Sequence, residues 1–422
     1  MRLRFLLQAS IAAFGTYFCM YAFRKPFTVA TFANESFIGI DFKILLIIAQ
    51  VIGYTLSKFI GIRIIAEMKS SKRMMFLIGF ILFAELALLG FATVPAPYNI
   101  VCLFFNGLPL GMIWGIVFSY LEGRKATELL GVILSSSFIV SSGAVKSVGK
   151  IVLDTFHFNE YWMPFITGGF FIIPLIFFAW LLERLPEPTK EDKLLRTVRK
   201  PLDKTERKRL FRKFVIPLTL IVFFFMLLTS IRDFRDNFAR EIWDALGYED
   251  ASIYSISEIP IAITVLIVLG FIGSITKNFK AFMYYHYVLI IGCTSIIIST
   301  LLFQQSLISP LVWMTVSGLG LYSCYVPFNG IFFDRMIATF KIKGNVGFLI
   351  YIADAFGYLG SILILLYKNF GKGDISWLSF FITALYFLAF IGLIITTYCF
   401  QFFRRKYKKP IQIQELIYEQ QI

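Results

Sequence analysis

The sequence predicts an all-α integral membrane protein. It has twelve transmembrane helices arranged as two six-helix pseudo-repeats, with both termini cytoplasmic. Three observations carry this reading. Apolar residues are 58% of the 422-residue chain and charged residues 16%, against about 45–50% and about 25% in soluble proteins. The apolar residues fall in runs of about 20, the length a helix needs to cross the hydrocarbon core. Basic residues gather between alternate runs, as cytoplasmic loops do. Too few polar residues remain to coat two or three soluble domains. A soluble enzyme, a disordered chain and a secreted disulfide scaffold are therefore excluded. The 49 Phe and 20 Tyr suit lipid-facing and interfacial helices.

The candidate spans are 5–31, 41–63, 74–94, 99–121, 130–152, 161–183, 214–240, 251–275, 282–303, 307–333, 344–367 and 377–403. With the N-terminus cytoplasmic, the cytoplasmic segments hold 29 of the 41 basic residues. The opposite side keeps only Lys150, Lys368 and Lys372, beside Glu35, Asp154, Glu160, Glu249 and Asp250. The expected location is the inner (plasma) membrane. Residues 184–213, with Pro186, Pro188, Pro201 and dense mixed charge, read as a basic cytoplasmic linker. It separates an N-terminal six-helix bundle (1–183) from a C-terminal one (214–403), with a cytoplasmic tail at 404–422. Six plus six around a central loop suggests two pseudo-repeats about an axis along the membrane normal, as in the major facilitator fold. No cleavable signal peptide is expected, because the first apolar run is too long for one and contains Arg24-Lys25.

The net charge of +15 lies between apolar runs, which argues for a membrane surface and against nucleic acid. Cys19, Cys102, Cys293, Cys324 and Cys399 all sit in apolar stretches without metal-ligand spacing and read as small buried hydrophobes. With two His in the chain, no His-based metal site and no cofactor is expected. The expected partners are the lipid bilayer and a small anionic substrate, bound by a monomer.

Ionisable residues inside spans are costly and mark function. Arg24 is the twentieth residue of span 1 and Arg232 the nineteenth of span 7, so they occupy matching depths in the two halves. In the major facilitator arrangement spans 1, 4, 7 and 10 line the central cavity. Two guanidiniums facing each other there form a clamp for a phosphate or carboxylate. The alternative is that each snorkels or is neutralised locally, Arg232 by Asp233 or Asp236. Lys25 and Arg235 are expected to point at an interface or an acid. Lys58 on span 2 and Asp354 on span 11 make a second set, read as a cytoplasmic gate, a proton site or a packing pair. Lys146 on span 5 and Glu258 on span 8 make a third, an expected salt bridge between the halves on the outer side. Glu85 in span 3 has no evident partner in the sequence, and His286 is expected near the interface.

Pro26, Pro109, Pro217, Pro260 and Pro327 fall within spans, where freed carbonyls are tolerated if neighbours satisfy them. Gly107, Gly111 and Gly115 in "NGLPLGMIWG" form a small-xxx-small row for close packing, and "GYLGS" at 357–361 does the same in span 11. Trp114, following Gly111, is a candidate to stack on a sugar ring, the alternative being ordinary core.

Several of these segments resemble the organophosphate:phosphate antiporter family, which includes the glycerol-3-phosphate and hexose-phosphate transporters. "YAFRKPF" at 21–27 is similar to that family's Tyr-x-x-Arg-Lys-x-Phe signature. "GYTLSKFIGIRIIAEMKSSKR" at 53–73 is similar to its second span and following loop, with Glu67 and Arg73 in place of its usual loop charges. Arg232 falls where the family has its second phosphate-binding arginine, and "GYLG" at 357–360 recurs in its span 11. The resemblance implies that Arg24 and Arg232 hold the phosphate, assisted by Lys58; Tyr21 of the same segment is a further candidate for substrate binding. Two departures mark a divergent branch. The family's His-Asn-x-Gly-Gly motif is replaced by "VSSGAVKSVG" with Lys146, and span 7 carries the extra charges Asp233, Arg235 and Asp236. A carboxylated sugar would satisfy the same arginines as a sugar phosphate. The function expected is a secondary active transporter for a small organic anion, working by alternating access and coupled to a counter-anion or to protons through Asp354 or Glu258. The alternative is a ligand-sensing membrane receptor of the same fold. No acid/base pair, metal set or nucleophile motif suggests an enzyme.

Overall fold

The computed structural model describes residues 3–68, 70–121, 127–186, 204–329, 331–341, 347–370 and 375–419. Most of the predicted linker, and the loop residues Lys69, Arg124, Lys125, Lys343 and Lys372, lie outside them. Fourteen α-helices occur among the described residues: α1 Leu3–Tyr21, α2 Phe42–Glu67, α3 Arg73–Thr93, α4 Ile100–Leu121, α5 Thr127–Asp154, α6 Met163–Glu183, α7 Lys204–Asn237, α8 Ala239–Ala245, α9 Ile253–Gly273, α10 Asn278–Gln304, α11 Pro310–Tyr325, α12 Ile331–Thr339, α13 Gly347–Phe370 and α14 Trp377–Glu419. A two-residue hairpin pairs Ser36–Phe37 with Ile40–Asp41. Its turn residues Ile38 and Gly39 both have positive φ (55° and 72°), the conformation that lets a two-residue turn follow the strand twist.

Among the described residues, ten helices are long and apolar enough to cross a membrane. The helices α1 and α13 overlap the two remaining predicted spans. Three spans depart from single helices, each near a proline. Span 1 was expected to be helical to residue 31, but α1 stops at Tyr21. The chain tightens into i→i−3 bonds from the amides of Ala22, Phe23 and Arg24 and enters a 3₁₀ turn at Pro26–Val29, because Pro26 brings no N–H to continue the ladder. Arg24 and Lys25 therefore stand on a turn rather than a helix. Span 10 breaks at a 3₁₀ turn around Pro327, dividing α11 from α12. The helix that carries span 7 begins earlier, at Lys204, and bends at Phe214 (φ −133°, ψ 20°), where the Pro217 ring opposes the carbonyl four residues before it.

The chain divides into two compact units. The first comprises Met1–Thr197, Arg232–Ile267 and Ser361–Phe381, and the second Val198–Ile231, Val268–Gly360 and Ile382–Ile422. In the first unit, α2 and α4 touch backbone to backbone. A Cβ on Gly53 would strike the Phe104 carbonyl oxygen, and one on Gly107 the Gln50 carbonyl oxygen. The glycine row expected on α4 thus meets a complementary glycine on α2, which lets the helices approach closely enough for dispersion to hold them where lipid removes the hydrophobic drive.

In the second unit, Gly357 and Gly360 of α13 lie against Thr229, and against Met226 and Ser230, of α7. Trp313 stacks on Phe303 at 4.2 Å and donates to the Thr300 hydroxyl at 3.1 Å. His286 is fully buried. Its Nδ1 bonds the Phe282 carbonyl, and Phe282, Phe332, Phe400 and Phe403 surround the ring.

Gly107→Leu is expected to destabilise the protein by about 3 kcal/mol, the upper end of the overpacking range, because the obstruction is backbone. Thermal unfolding of purified protein checks this. Gly79→Leu, at a helix position with open space around it, should leave the melting temperature unchanged.

Candidate functional site

The turn carrying Arg24 is held by two buried amides. Asn106 of α4 donates to the Phe23 carbonyl at 2.9 Å and to the Ala84 carbonyl at 3.0 Å. Its Oδ1 accepts from Gln50 at 2.8 Å, and Gln50 also donates to the Arg24 carbonyl at 3.1 Å. A chain leaving a helix has unsatisfied backbone groups, and these side chains satisfy them without a further turn of helix. Neither Gln50 nor Asn106 stood out in the sequence. The usable signal was a pair of amides within otherwise apolar spans.

The Arg24 guanidinium lies 3.9 Å from the Tyr54 ring centroid and 6.0 Å from that of Tyr21. Lys58 approaches the same Tyr54 ring at 5.5 Å. Cations over aromatic faces in a desolvated site gain about 2 kcal/mol. Tyr21 also stacks edge-on against Tyr17 at 5.6 Å. Arg232 bonds the adjacent Asp233, at 2.5 Å from its Nη2 and 3.1 Å from its Nε. It also lies 6.0 Å from the Phe138 ring. Ser361 holds the other Asp233 oxygen at 2.8 Å. Local neutralisation thus falls to Asp233, because Asp236 is otherwise engaged.

Asp236 receives the ammoniums of both Lys25 and Lys146 and the hydroxyl of Ser142. Lys25 also donates to the Asn237 side chain at 2.8 Å, and Lys146 to the Asp236 carbonyl at 2.5 Å. The neighbouring Arg235 turns the other way and pairs with Glu258. The direct Lys146–Glu258 bridge expected from the sequence is therefore replaced by two pairs, Lys146–Asp236 and Arg235–Glu258. The reason is that α7 ends with an acid and a base side by side, about 100° apart around the helix, so each ion finds a nearer counter-ion there. The helices expected to meet do so. A Cβ on Gly143 of α5 would strike Tyr254 and Glu258 of α9, and Ser147 and Ser255 share a 2.8 Å hydrogen bond.

A further pair lies beyond the span end. Lys43 bonds Glu241 of α8 at 2.5 Å and the Thr28 carbonyl at 2.8 Å. Burial pushes the Glu241 carboxyl up from its usual range, and the Lys43 ammonium opposes that shift. Trp114 stacks on Phe118 of its own helix at 4.9 Å and 8°, so one face of the indole is already covered. Lys58 belongs to the first unit and Asp354 to the second. Among the described residues no His, Cys, Asp and Glu cluster has a metal-binding arrangement.

The fold has known counterparts. A D-xylose–proton symporter is similar at a TM-score of 0.60 and 12% identity, covering 93% of this chain and 96% of that one. The nucleoside transporter NupG is similar at 0.61 and 15%, covering 94% and 98%. A bacterial homologue of the human peptide transporters PepT1 and PepT2 is similar at 0.61 and 12%, covering 97% and 98%. The architecture is thus the major facilitator fold. No curated protein matches the sequence. Residues 26–406 match the model of a family of unknown function, DUF5690, and the chain belongs to that family.

Removing Asp236 is expected to cost about 3–5 kcal/mol, because it strands two buried ammoniums. Lys146→Ala should cost clearly less than Asp236→Ala, since Lys25 still faces the carboxylate. Melting temperatures of the two variants check the order, and equal losses would refute the shared-carboxylate account.

Proposed function

We propose that this protein is a secondary transporter for a small organic anion, a sugar phosphate or an acidic sugar, in the inner (plasma) membrane. The observation that carries the reading is an arginine at matching depths of the two sequence halves, Arg24 seated over the Tyr54 ring and Arg232 held by Asp233 beside Phe138. Planar guanidiniums suit bidentate recognition of phosphate or carboxylate, and Tyr54 and Lys58 extend the same cationic and aromatic surface. Two lysines on one aspartate add to the positive field that concentrates an anion. The similarity in fold to sugar, nucleoside and peptide transporters supports transport rather than catalysis.

In this reading twelve helices cross the membrane with both termini cytoplasmic, and the halves 1–183 and 214–403 rock about the arginine pair. Lys25–Asp236–Lys146 and Arg235–Glu258 join residues of the two halves and hold the outer side shut. An anion that draws Arg232 away from Asp233 alters the last turn of α7, where both ion-pair sets originate. Binding is thereby linked to opening. Asp354 and Glu258 are the candidate coupling carboxylates, and Trp114 offers its free face to a sugar ring.

Thermal stabilisation of the purified protein tests the reading, with inorganic phosphate, sugar phosphates, carboxylated sugars and neutral sugars as ligands. At a hundred times its dissociation constant a ligand should add about 2.7 kcal/mol. Stabilisation by an anionic sugar is expected, as is its loss in Arg24→Ala together with uptake into proteoliposomes. A response to neutral sugars alone would overturn the arginine clamp. Saturable binding without accumulation would assign the protein to the receptors of this fold.

A further inference from the structure

The buried acids at the end of α7, Asp233 and Asp236, and the Glu258 that faces them each meet a cation. Glu85 differs. It lies on the inner face of α3, only 5% exposed. Among the described residues both carboxyl oxygens are buried without a hydrogen-bond partner. Its carboxyl is fitted against α6 at Gly168, where a Cβ would overlap it, and Gly169 follows. The nearest hydroxyl on α6, Thr167, is engaged by the Met163 carbonyl at 2.8 Å. The Asn106 amide is engaged by the backbone, one of its bonds going to Ala84 beside Glu85.

Through Asn106 the 23–24 turn comes near Ala84, but its Arg24 is seated over Tyr54 and its Lys25 on Asp236; the charged groups on α3, α4 and α6 are remote. On α3 the one base is Arg73, about 18 Å along the axis at 1.5 Å per residue and seated over Tyr120. Lys72 precedes it in the adjoining 3₁₀ turn. On α4 the titratable groups are Cys102, which faces Gly90, and Tyr120. On α6 the one charged residue is Glu183, about 22 Å from Gly168 by the same rise, where it accepts from Tyr120.

An ionised carboxyl in such a place has neither a counter-ion nor donors to replace water, and buried groups of this kind neutralise instead. The glycine surface of α6 offers room for a carboxyl but no donor for a carboxylate. We propose that Glu85 is a proton-binding site. It rests as the neutral acid in the α3–α6 seam, and loss of its proton to water drives the carboxylate out of that seam. Proton binding is thereby coupled to the packing of α3 on α6. This reading is independent of the nature of the transported anion.

Dicyclohexylcarbodiimide tests it. This hydrophobic reagent takes the proton and the carboxylate of a protonated acid across its C=N bond. The O-acylisourea so formed rearranges to a stable N-acylurea with no leaving group. On the purified full-length protein, mass mapping should place the adduct on Glu85. The yield should fall as the pH is made alkaline, and the adduct should be absent in Glu85→Gln. The wild type should lose melting temperature at alkaline pH relative to Glu85→Gln, because a group kept protonated by folding stabilises at low pH and ceases to do so as pH rises through its titration. At neutral pH the two proteins should melt together. The infrared carbonyl band of a protonated acid, present in wild type and lost in Glu85→Gln, gives the same answer without dependence on reagent access. Absence of that band overturns the proposal, as does a Glu85→Gln protein destabilised equally at every pH.

Discussion

One buried aspartate organises the first compact unit. Asp236 sits at the end of α7, under the ammoniums of Lys25 and Lys146 and the hydroxyl of Ser142. Desolvation makes each of these charges expensive alone and tolerable together. The arrangement also dictates its surroundings. Lys25 can reach Asp236 because α1 stops at Tyr21 and the turn before Pro26 redirects the chain. With Asp236 engaged, Arg232 takes Asp233, and Arg235 takes Glu258 on α9. The partners of four cations are thus settled by where one carboxylate points.

The seat of Arg24 follows a different logic. Electrostatics gives that side chain its attraction for an anion, but neutral groups give it its place. Gly53 and Gly107 bring α2 and α4 together, which sets Gln50 beside Asn106 and allows the two amides to satisfy the backbone at residues 23 and 24. Tyr54, one residue past Gly53, then presents its ring to the guanidinium. The glycines, the amides and the aromatic ring form one chain of dependence, from helix contact to the orientation of a functional group.

Much of this was legible in the sequence. Run length and the distribution of lysine and arginine indicate the helices and the fold class, because the bilayer imposes a length and a charge asymmetry on any chain that crosses it. Arg24, Arg232, Lys146 and Glu258 are visible because charge inside an apolar run is rare. Their pairing was not legible. Which of two adjacent residues faces α5 and which faces α9 depends on the rotation of α7, and no sequence pattern encodes a rotation to within one residue. Gln50 and Asn106 stayed hidden because neutral amides in a span resemble tolerated polar residues until their partners are known. The burial of His286 stayed hidden because a span boundary says nothing about which face a residue presents.

The amide of Asn106 donates two bonds and accepts one, all to groups that do not move independently of the helices around them. Its amide turned by 180°, with nitrogen and oxygen exchanged, would aim an oxygen at two carbonyls and a nitrogen at a donor. Aspartate, nearly the same in volume, would do the same with a full charge. Shape therefore carries no information at this position, and the order of two atoms carries all of it. Spontaneous deamidation there, a chemical event of ageing rather than of heredity, would unseat the arginine turn while leaving every helix in place.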